Sequence, residues 1–231
     1  MTRLSIVIPT LNEEASIAQA LVALRPLRAA GCDVIVADGG SRDRTVEIAR
    51  PLCDRVVTAP RGRGAQMNMG AAAAGGDVLL FLHSDTRLPD RAEHLVLRGL
   101  EDSGRVWGHF DVRIDGRHPL LPVVAVLINW RSRLTGIATG DQTIFVAKSA
   151  FAAAGGFPDI ALMEDVVLTE RLRRITRPLC LSARVTTSGR RWDEHGLVRT
   201  ILLMWRLRLA HFFGADPNLL ARAYGYAPRE P

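Results

Sequence analysis

The chain has 231 residues and a mass of 25.3 kDa, with 30 Lys+Arg against 24 Asp+Glu for a formal charge of +6. Apolar residues make up 48% and charged residues 23%, which excludes a disordered or collagen-like chain and leaves enough length for one core-forming domain. Lys148 is the single lysine, so the pI of about 10.2 reflects arginine usage; basic residues alternate with acids, no aromatic-basic platform occurs, and no nucleic-acid partner is expected.

The first half alternates strand-like and helical patterns. LSIVI (4–8) is a continuous β-branched run suited to a strand buried on both faces, ending at Pro9-Thr10. Asn12 is placed to cap a helix whose first turn holds Glu13 and Glu14, followed by Ile17, Leu21 and Leu24 at helical spacing. DVIVA (33–37) is a second strand, then the loop Asp38-Gly39-Gly40-Ser41 and a helix to about Leu52. RVVTA (55–59) is a third strand, followed by a Gly-rich loop and a short Ala-rich helix; DVLLFL (77–82) is a fourth, ending at His83-Ser84-Asp85. Strand, helix, strand at this spacing predicts right-handed βαβ units and a mostly parallel, Rossmann-like sheet flanked by helices. Ligands bind such sheets at the carboxyl ends of the strands, where the polar loops Pro9–Asn12, Asp38–Ser41, Arg61–Gly64 and His83–Asp85 fall.

The second half is less regular. Residues 105–115 read as an antiparallel strand, 119–136 as a mostly apolar helix, 143–147 as a strand and 148–154 as a helix before Gly155-Gly156-Phe157. A further helix starts near Glu164, and 196–213 is amphipathic, with Leu202, Leu203, Leu207 and Leu209 expected to pack inward while Arg206 and Arg208 reach outward. The division expected is one domain: a first half (1–104), a second half (105–195) and a C-terminal helical extension (196–231). Cys32, Cys53 and Cys180 are odd in number and far apart, arguing against structural zinc and for a reducing, cytoplasmic location. The five-residue apolar run before Pro9 is too short for a signal peptide, and no stretch has the length of a membrane span, leaving at most peripheral membrane contact.

Carboxylates and glycines at strand ends suit a nucleotide or phosphorylated ligand. No G-x-G-x-x-G follows the first strand and no G-x-x-x-x-G-K-[ST] occurs, so the common dinucleotide and P-loop sites are excluded. Asp38 can accept from a base or ribose hydroxyl, or from its own loop amides. Asp85 can touch a hard divalent cation, or serve as a turn residue before Pro89. Glu164-Asp165 can do proton chemistry or complement a helix dipole. Arg190-Arg191-Trp192 can clamp a diphosphate or form a surface arginine pair beside a half-buried Trp; His195 and His211 read as ordinary helix or loop residues.

As an ordered set these segments resemble the family-2 inverting glycosyltransferases of the GT-A fold. IVIPTLNEE is similar to the family's first-strand motif, ADGGSRDRT (37–45) to its nucleotide-binding loop and RGRGAQMNMGA (61–71) to its Gly-rich segment. FLHSDT (81–86) occupies the D-x-D position, 140–172 resembles the stretch from the donor-sugar floor to the E-D motif, and SGRRW (188–192) resembles the late R-W element. LHSDTRLP, ATGDQ, LMEDV and RRWDEHG resemble a short branch of arsenosugar-biosynthesis or radical-SAM-associated enzymes. The first acid of D-x-D is His83 here, and the Gln of the processive members' Q-x-x-R-W is missing, which argues against a processive synthase.

The resemblance implies single displacement at the anomeric carbon of a nucleotide-diphospho-sugar, hexosyltransferase-like, onto a small-molecule or lipid acceptor. It puts the donor over Pro9, Thr10, Asn12, Glu13, Asp38, Gly39 and Ser41, with Arg61, Gly64, Asn68, His83, Ser84, Gly140, Asp141 and Trp192 around it. It gives Asp85 a divalent cation, Mn2+ or Mg2+, Arg191 the leaving-group charge, and Asp165 the role of general base tuned by Glu164. The alternative from another class is a non-catalytic nucleotide-sugar-binding module, or one lying on a membrane surface through the basic helix 196–213.

Overall fold

An uninterrupted apolar strand needs cover on both faces, and LSIVIPT receives it. In the computed structural model, which describes residues 2–226, this segment is β1 (Leu4–Thr10), buried at every position. Parallel to it run β2 (Asp33–Asp38), β3 (Arg55–Thr58) and β4 (Val78–Phe81). A two-residue strand, β5 (Thr86–Arg87), precedes the long β6 (Trp107–Asp115), β7 (Ile144–Ala147) and β8 (Leu179–Ser188). The eight strands form one sheet in the order β3-β2-β1-β4-β7-β6-β8-β5. β7 is antiparallel to β4 and β6, β6 and β8 are parallel, and β5 is antiparallel to β8. The sheet runs unbroken across the expected 1–104 and 105–195 halves, and the expected segment 227–231 lies outside the described residues.

Period-two alternation divides the core. Ile6 and Ile8 pack with Leu21, Val96, Leu121 and Val124 on one face, while Val7 packs with Met67, Leu79, Leu168 and Leu172 on the other. Helices Ile17–Ala23, Ala92–Ser103 and Leu121–Thr135 supply the first set; helices Arg63–Ala73 and Glu164–Ile175 supply the second. Under the second face, Phe81 packs edge-on to Phe157 at 4.8 Å and beside Phe151 at 5.3 Å, which anchors the Gly155–Phe157 turn below the end of β4. Because the chain leaves β1 for β2 on one side and returns to β4 on the other, a crevice opens at the carboxyl ends of β1 and β4.

Several expectations need correction. Asn12 does not cap a helix: it sits at φ 55°, and the first helix starts at Ile17 behind Ser16. Glu13 and Glu14 are therefore loop residues, tied to the next loop through Thr45 and Asp43. The helix expected to reach Leu52 is Thr45–Ala49. The C-terminal helix, Leu197–Phe212, packs inward through Leu197, Thr200 and Leu207, but Leu202 and Leu209 are 60% and 61% exposed. The inward packing expected for its leucines holds for Leu207 and in part for Leu203. Helices Arg25–Ala29, Ala92–Ser103 and Arg190–His195 and strands β5 and β8 extend the expected set, and Pro217–Tyr224 falls within the expected helical extension. Among the described residues no helix is long and apolar enough to cross a membrane.

β6 crosses its neighbours closely. A Cβ on Gly108 would lie 2.2 Å from the Leu179 carbonyl oxygen and 2.6 Å from the Phe145 ring. Gly108→Ala is therefore expected to force β6, β7 and β8 apart. Overpacking of this kind costs about 1–3 kcal/mol, so thermal unfolding should shift down by several degrees for a chain of this size.

Candidate functional site

The crevice at the β1 and β4 ends is a cavity of about 410 Å³. Pro9, Thr10 and Glu13 line one wall; His83, Ser84 and Asp85 line another; Arg61, Asp141, Arg191 and Trp192 complete it. These are the residues of the expected donor site that the fold brings together.

The rest of the expected donor set lies behind the wall and shapes it. Asp38 accepts from the backbone N–H groups of Gly40 and Ser41, both at 3.0 Å, and from Ser41 Oγ at 2.5 Å. Ser41 Oγ in turn accepts from Asn12 N at 2.9 Å, and Asn12 Oδ1 accepts from Arg42 N at 2.8 Å. The two loops are thus sewn together by short polar side chains. Gln66 Nε2 donates to the carbonyls of Thr10 (2.6 Å) and Ala37 (3.0 Å), and a Cβ on Gly39 would meet its amide at 2.9 Å, so Gly39 is required by close approach. Asn68 exchanges two hydrogen bonds with the backbone of Phe157, and Gly64 lets helix Arg63–Ala73 approach the Pro158 carbonyl, where a Cβ would lie at 2.7 Å.

The other side of the crevice is built by a second loop. Gly140 N donates to Asp165 Oδ2 at 2.7 Å, and Val166 N donates to Asp165 Oδ1 at 2.7 Å. Asp165 stands in the first turn of helix Glu164–Ile175, where backbone N–H groups and the dipole favour a carboxylate. The His83 ring packs on Gly140, and its Nδ1 lies 3.6 Å from Asp141 Oδ1. Burial opposes the charge of Asp141, but the neighbouring His83 ring, then Arg63 and Arg131, hold its carboxyl below the ordinary range. Glu164 is 5% exposed. Burial, then the adjacent Asp165 charge, pushes its carboxyl up to about 7, with Arg63 opposing. The upward shift therefore falls on Glu164, the residue expected to exert it.

A small pocket of about 80 Å³ lies over Glu164 and Asp165. It shares Arg63, His83, Asp141, Met204 and Tyr224 with the large cavity, so the two are continuous. Sequence reading missed several of these residues. Arg63 is ringed by carboxylates and tyrosines yet open to the cleft; its guanidinium stands 5.5 Å over the Tyr226 ring. Arg191 donates through Nη2 to the Tyr224 carbonyl and lies 3.6 Å over the Tyr224 ring. Met204 and Arg208 come from the C-terminal helix, and no local motif marks these two positions or the two tyrosines, whereas Arg63 and Arg191 fall in segments 61–71 and 188–192, of which only Arg191 was given a role.

Asp85 is exposed in the wall, with one long contact from Thr86 Oγ1 at 3.4 Å. Among the described residues, no group of three His, Cys, Asp or Glu could hold a metal ion by itself.

The family model described as glycosyl transferase family 2 matches residues 5–153. The dolichyl-phosphate beta-glucosyltransferase of Mus musculus is 33% identical over 107 residues, 38% of this chain and 33% of that protein, so the chain spans about a third of that relative's length. A mannosyltransferase, PcManGT from Pyrobaculum calidifontis in complex with GDP-Man and Mn2+, superposes with a TM-score of 0.66 at 19% identity, covering 97% of this chain and 69% of that one. S. aureus TarS 1-349 in complex with UDP-GlcNAc superposes at 0.64 and 20% identity, over 80% of this chain and 58% of that one. These likenesses show the GT-A fold. With the family model running from β1 through the helix after β7, well over half of the 231 residues, the chain belongs to glycosyl transferase family 2.

Proposed function

We propose that this chain transfers a sugar from a nucleotide-diphospho-sugar to an acceptor hydroxyl with inversion at the anomeric carbon. The observation that carries this reading is the pair of continuous cavities, with Asp85 and Arg191 in the larger and Asp165 in the smaller. A single displacement needs a leaving diphosphate and an accepting base on opposite sides of one sugar, and two joined compartments of unequal size suit that demand. The larger takes the nucleotide and diphosphate, the smaller the acceptor. The domain division, the hexose donor, the branch resemblance and a cytoplasmic location belong to the same reading; three free cysteines, Cys32, Cys53 and Cys180, agree with a reducing location.

In the reaction the acceptor oxygen bonds to the anomeric carbon as the bond to the diphosphate oxygen breaks. The hydroxyl proton passes to Asp165, and the nucleoside diphosphate leaves. The two backbone N–H bonds hold the Asp165 carboxylate in one orientation at the helix start. Arg191, stacked on Tyr224, directs its guanidinium charge toward the cavity where diphosphate charge develops. Hard divalent cations are commonly held by one or two carboxylates plus substrate phosphates. The donor set at the β4 end fits a cation shared in that way, with Asp85 as its protein ligand and His83 engaged by Asp141 instead. When bound, Mn2+ or Mg2+ supplies charge neutralisation at the diphosphate.

Three outcomes are expected. Asp165→Asn keeps an acceptor for Gly140 N but removes the base; steady-state transfer should fall by about 10²–10⁴, while calorimetric donor affinity stays near that of the parent. Near-parent turnover would remove Asp165 from the role. Asp85→Ala should abolish the manganese-dependent part of donor binding measured by calorimetry, with the melting temperature of the unliganded chain unchanged. Glu164 binds its proton more tightly when folded (about 7) than at its ordinary value of 4.5. Its contribution to stability is thus full below pH 4.5 and lost as pH rises through 7. Glu164→Gln should flatten the fall in melting temperature across that window.

A further inference from the structure

Helix Leu197–Phe212 has two faces with different tasks. Its inner face reaches the small pocket through Met204, Leu207 and Arg208. Its outer face carries Val198, Leu202, Trp205, Leu209 and Phe212, between 60% and 81% exposed. These positions recur at intervals of four, three, four and three, and at about 100° of turn per residue they form one stripe along the helix. Arg199 and Arg206, both exposed, flank the stripe on one side, and residues 197–213 contain no Asp or Glu. A continuous apolar row of this size, with a tryptophan in it, is unusual for a surface facing water alone.

A second helix repeats the pattern. Leu121–Thr135 presents Leu120, Val123, Leu127, Trp130 and Leu134, between 51% and 72% exposed, and also contains no Asp or Glu. The two helices meet one buried cluster through Leu121, Val124 and Leu197, so both stripes are left over after the core is complete. The charges choose among possible occupants. On Leu121–Thr135 the arginines are already engaged, Arg133 with Asp111 and Arg131 beside Asp141 and Asp165. On Leu197–Phe212 the bordering Arg199 and Arg206 stand exposed in a helix without a carboxylate, which complements an anionic surface, and an apolar stripe with a cationic border is the layout of a helix lying in a lipid interface.

We propose that the outer face of helix Leu197–Phe212 docks on an anionic lipid bilayer. Docking would hold the small pocket about one helix diameter, roughly 10 Å, from the lipid surface, so that an acceptor is taken up at the membrane. The last step rests on the assignment of that pocket to the acceptor; the docking itself does not.

The test uses the full chain in flotation with phosphatidylcholine vesicles, with and without phosphatidylglycerol. The parent should float with the anionic vesicles. Leu202→Glu with Trp205→Glu should lower partitioning at least about tenfold, because two large apolar side chains leave the interface. Arg199→Ala and Arg206→Ala should each lower it by roughly fivefold and reduce the dependence on salt. All these positions are exposed and absent from the cavity walls, so donor thermal shift and circular dichroism should match the parent. A parent that stays with the lipid-free fraction, or a Leu202→Glu/Trp205→Glu chain that floats as the parent does, overturns the proposal. So does a parent dimer in light scattering that the same variant turns into a monomer without any lipid binding, since a second copy then covers the stripe. Vesicle binding by a chain that neither binds nor consumes any nucleotide-sugar would defeat the glycosyltransferase reading and leave the docking intact; transfer to a water-soluble acceptor without vesicle binding would do the reverse.

Discussion

The hydrogen bond from Gly140 N to Asp165 Oδ2, 2.7 Å long, joins the two halves of the site. Gly140 belongs to the turn that leads into β7, and Asp165 to the start of the helix that covers the sheet's second face. His83, from the end of β4, presses on the same glycine and faces Asp141 beside it. One turn therefore receives the strand end that borders the large cavity and the helix start that borders the small one. A side chain at position 140 would push the strand end away, since its Cβ would lie 2.6 Å from the His83 ring, while Asp165 Oδ2 would stay at 3.7 Å.

Around that turn, charge is balanced by proximity more than by paired hydrogen bonds. Asp141, Glu164 and Asp165 lie close to Arg63 and Arg131, and each of these arginines is affected by at least one of the carboxylates. Burial lowers the affinity of Arg131 for its proton, and its Nε and Nη2 have no hydrogen-bond partner among the described residues. Asp141 and Glu164 thus feel Arg63 as well as their carboxylate and imidazole neighbours. The shift of Glu164 to about 7 is the most evident result.

The C-terminal segment completes the cavity. Tyr224 holds Arg191 by its carbonyl and its ring, while Tyr226 stands under Arg63. Two arginines that line the large cavity are thus oriented by residues that follow helix Pro217–Tyr224 or end it. Stacking a guanidinium on an aromatic ring restricts it without neutralising it, which keeps its charge available to an anion.

The sequence by itself determined the elements with strong local signals. β1, β2 and β4 are continuous apolar runs, the helix at Glu164 follows a Gly-Gly turn, and the ordered motifs carried the family. It also named the residues of the cavity wall that sit at strand ends, because βαβ chirality puts those loops on one edge. β8 was missed because its burial alternates only weakly, so neither a continuous nor a period-two pattern marks it. Asn12 was misread as a cap because a short polar side chain before a helix can cap it or sew loops, and the choice depended on Ser41 and Arg42, about 30 residues away. Only the tertiary structure decided which side of the C-terminal helix meets the core. A helix rich in leucine all round has no single apolar face to read; the packing of Leu207 and Leu220 against Leu162 selected the inner side and left Trp205 and Phe212 on the outer one.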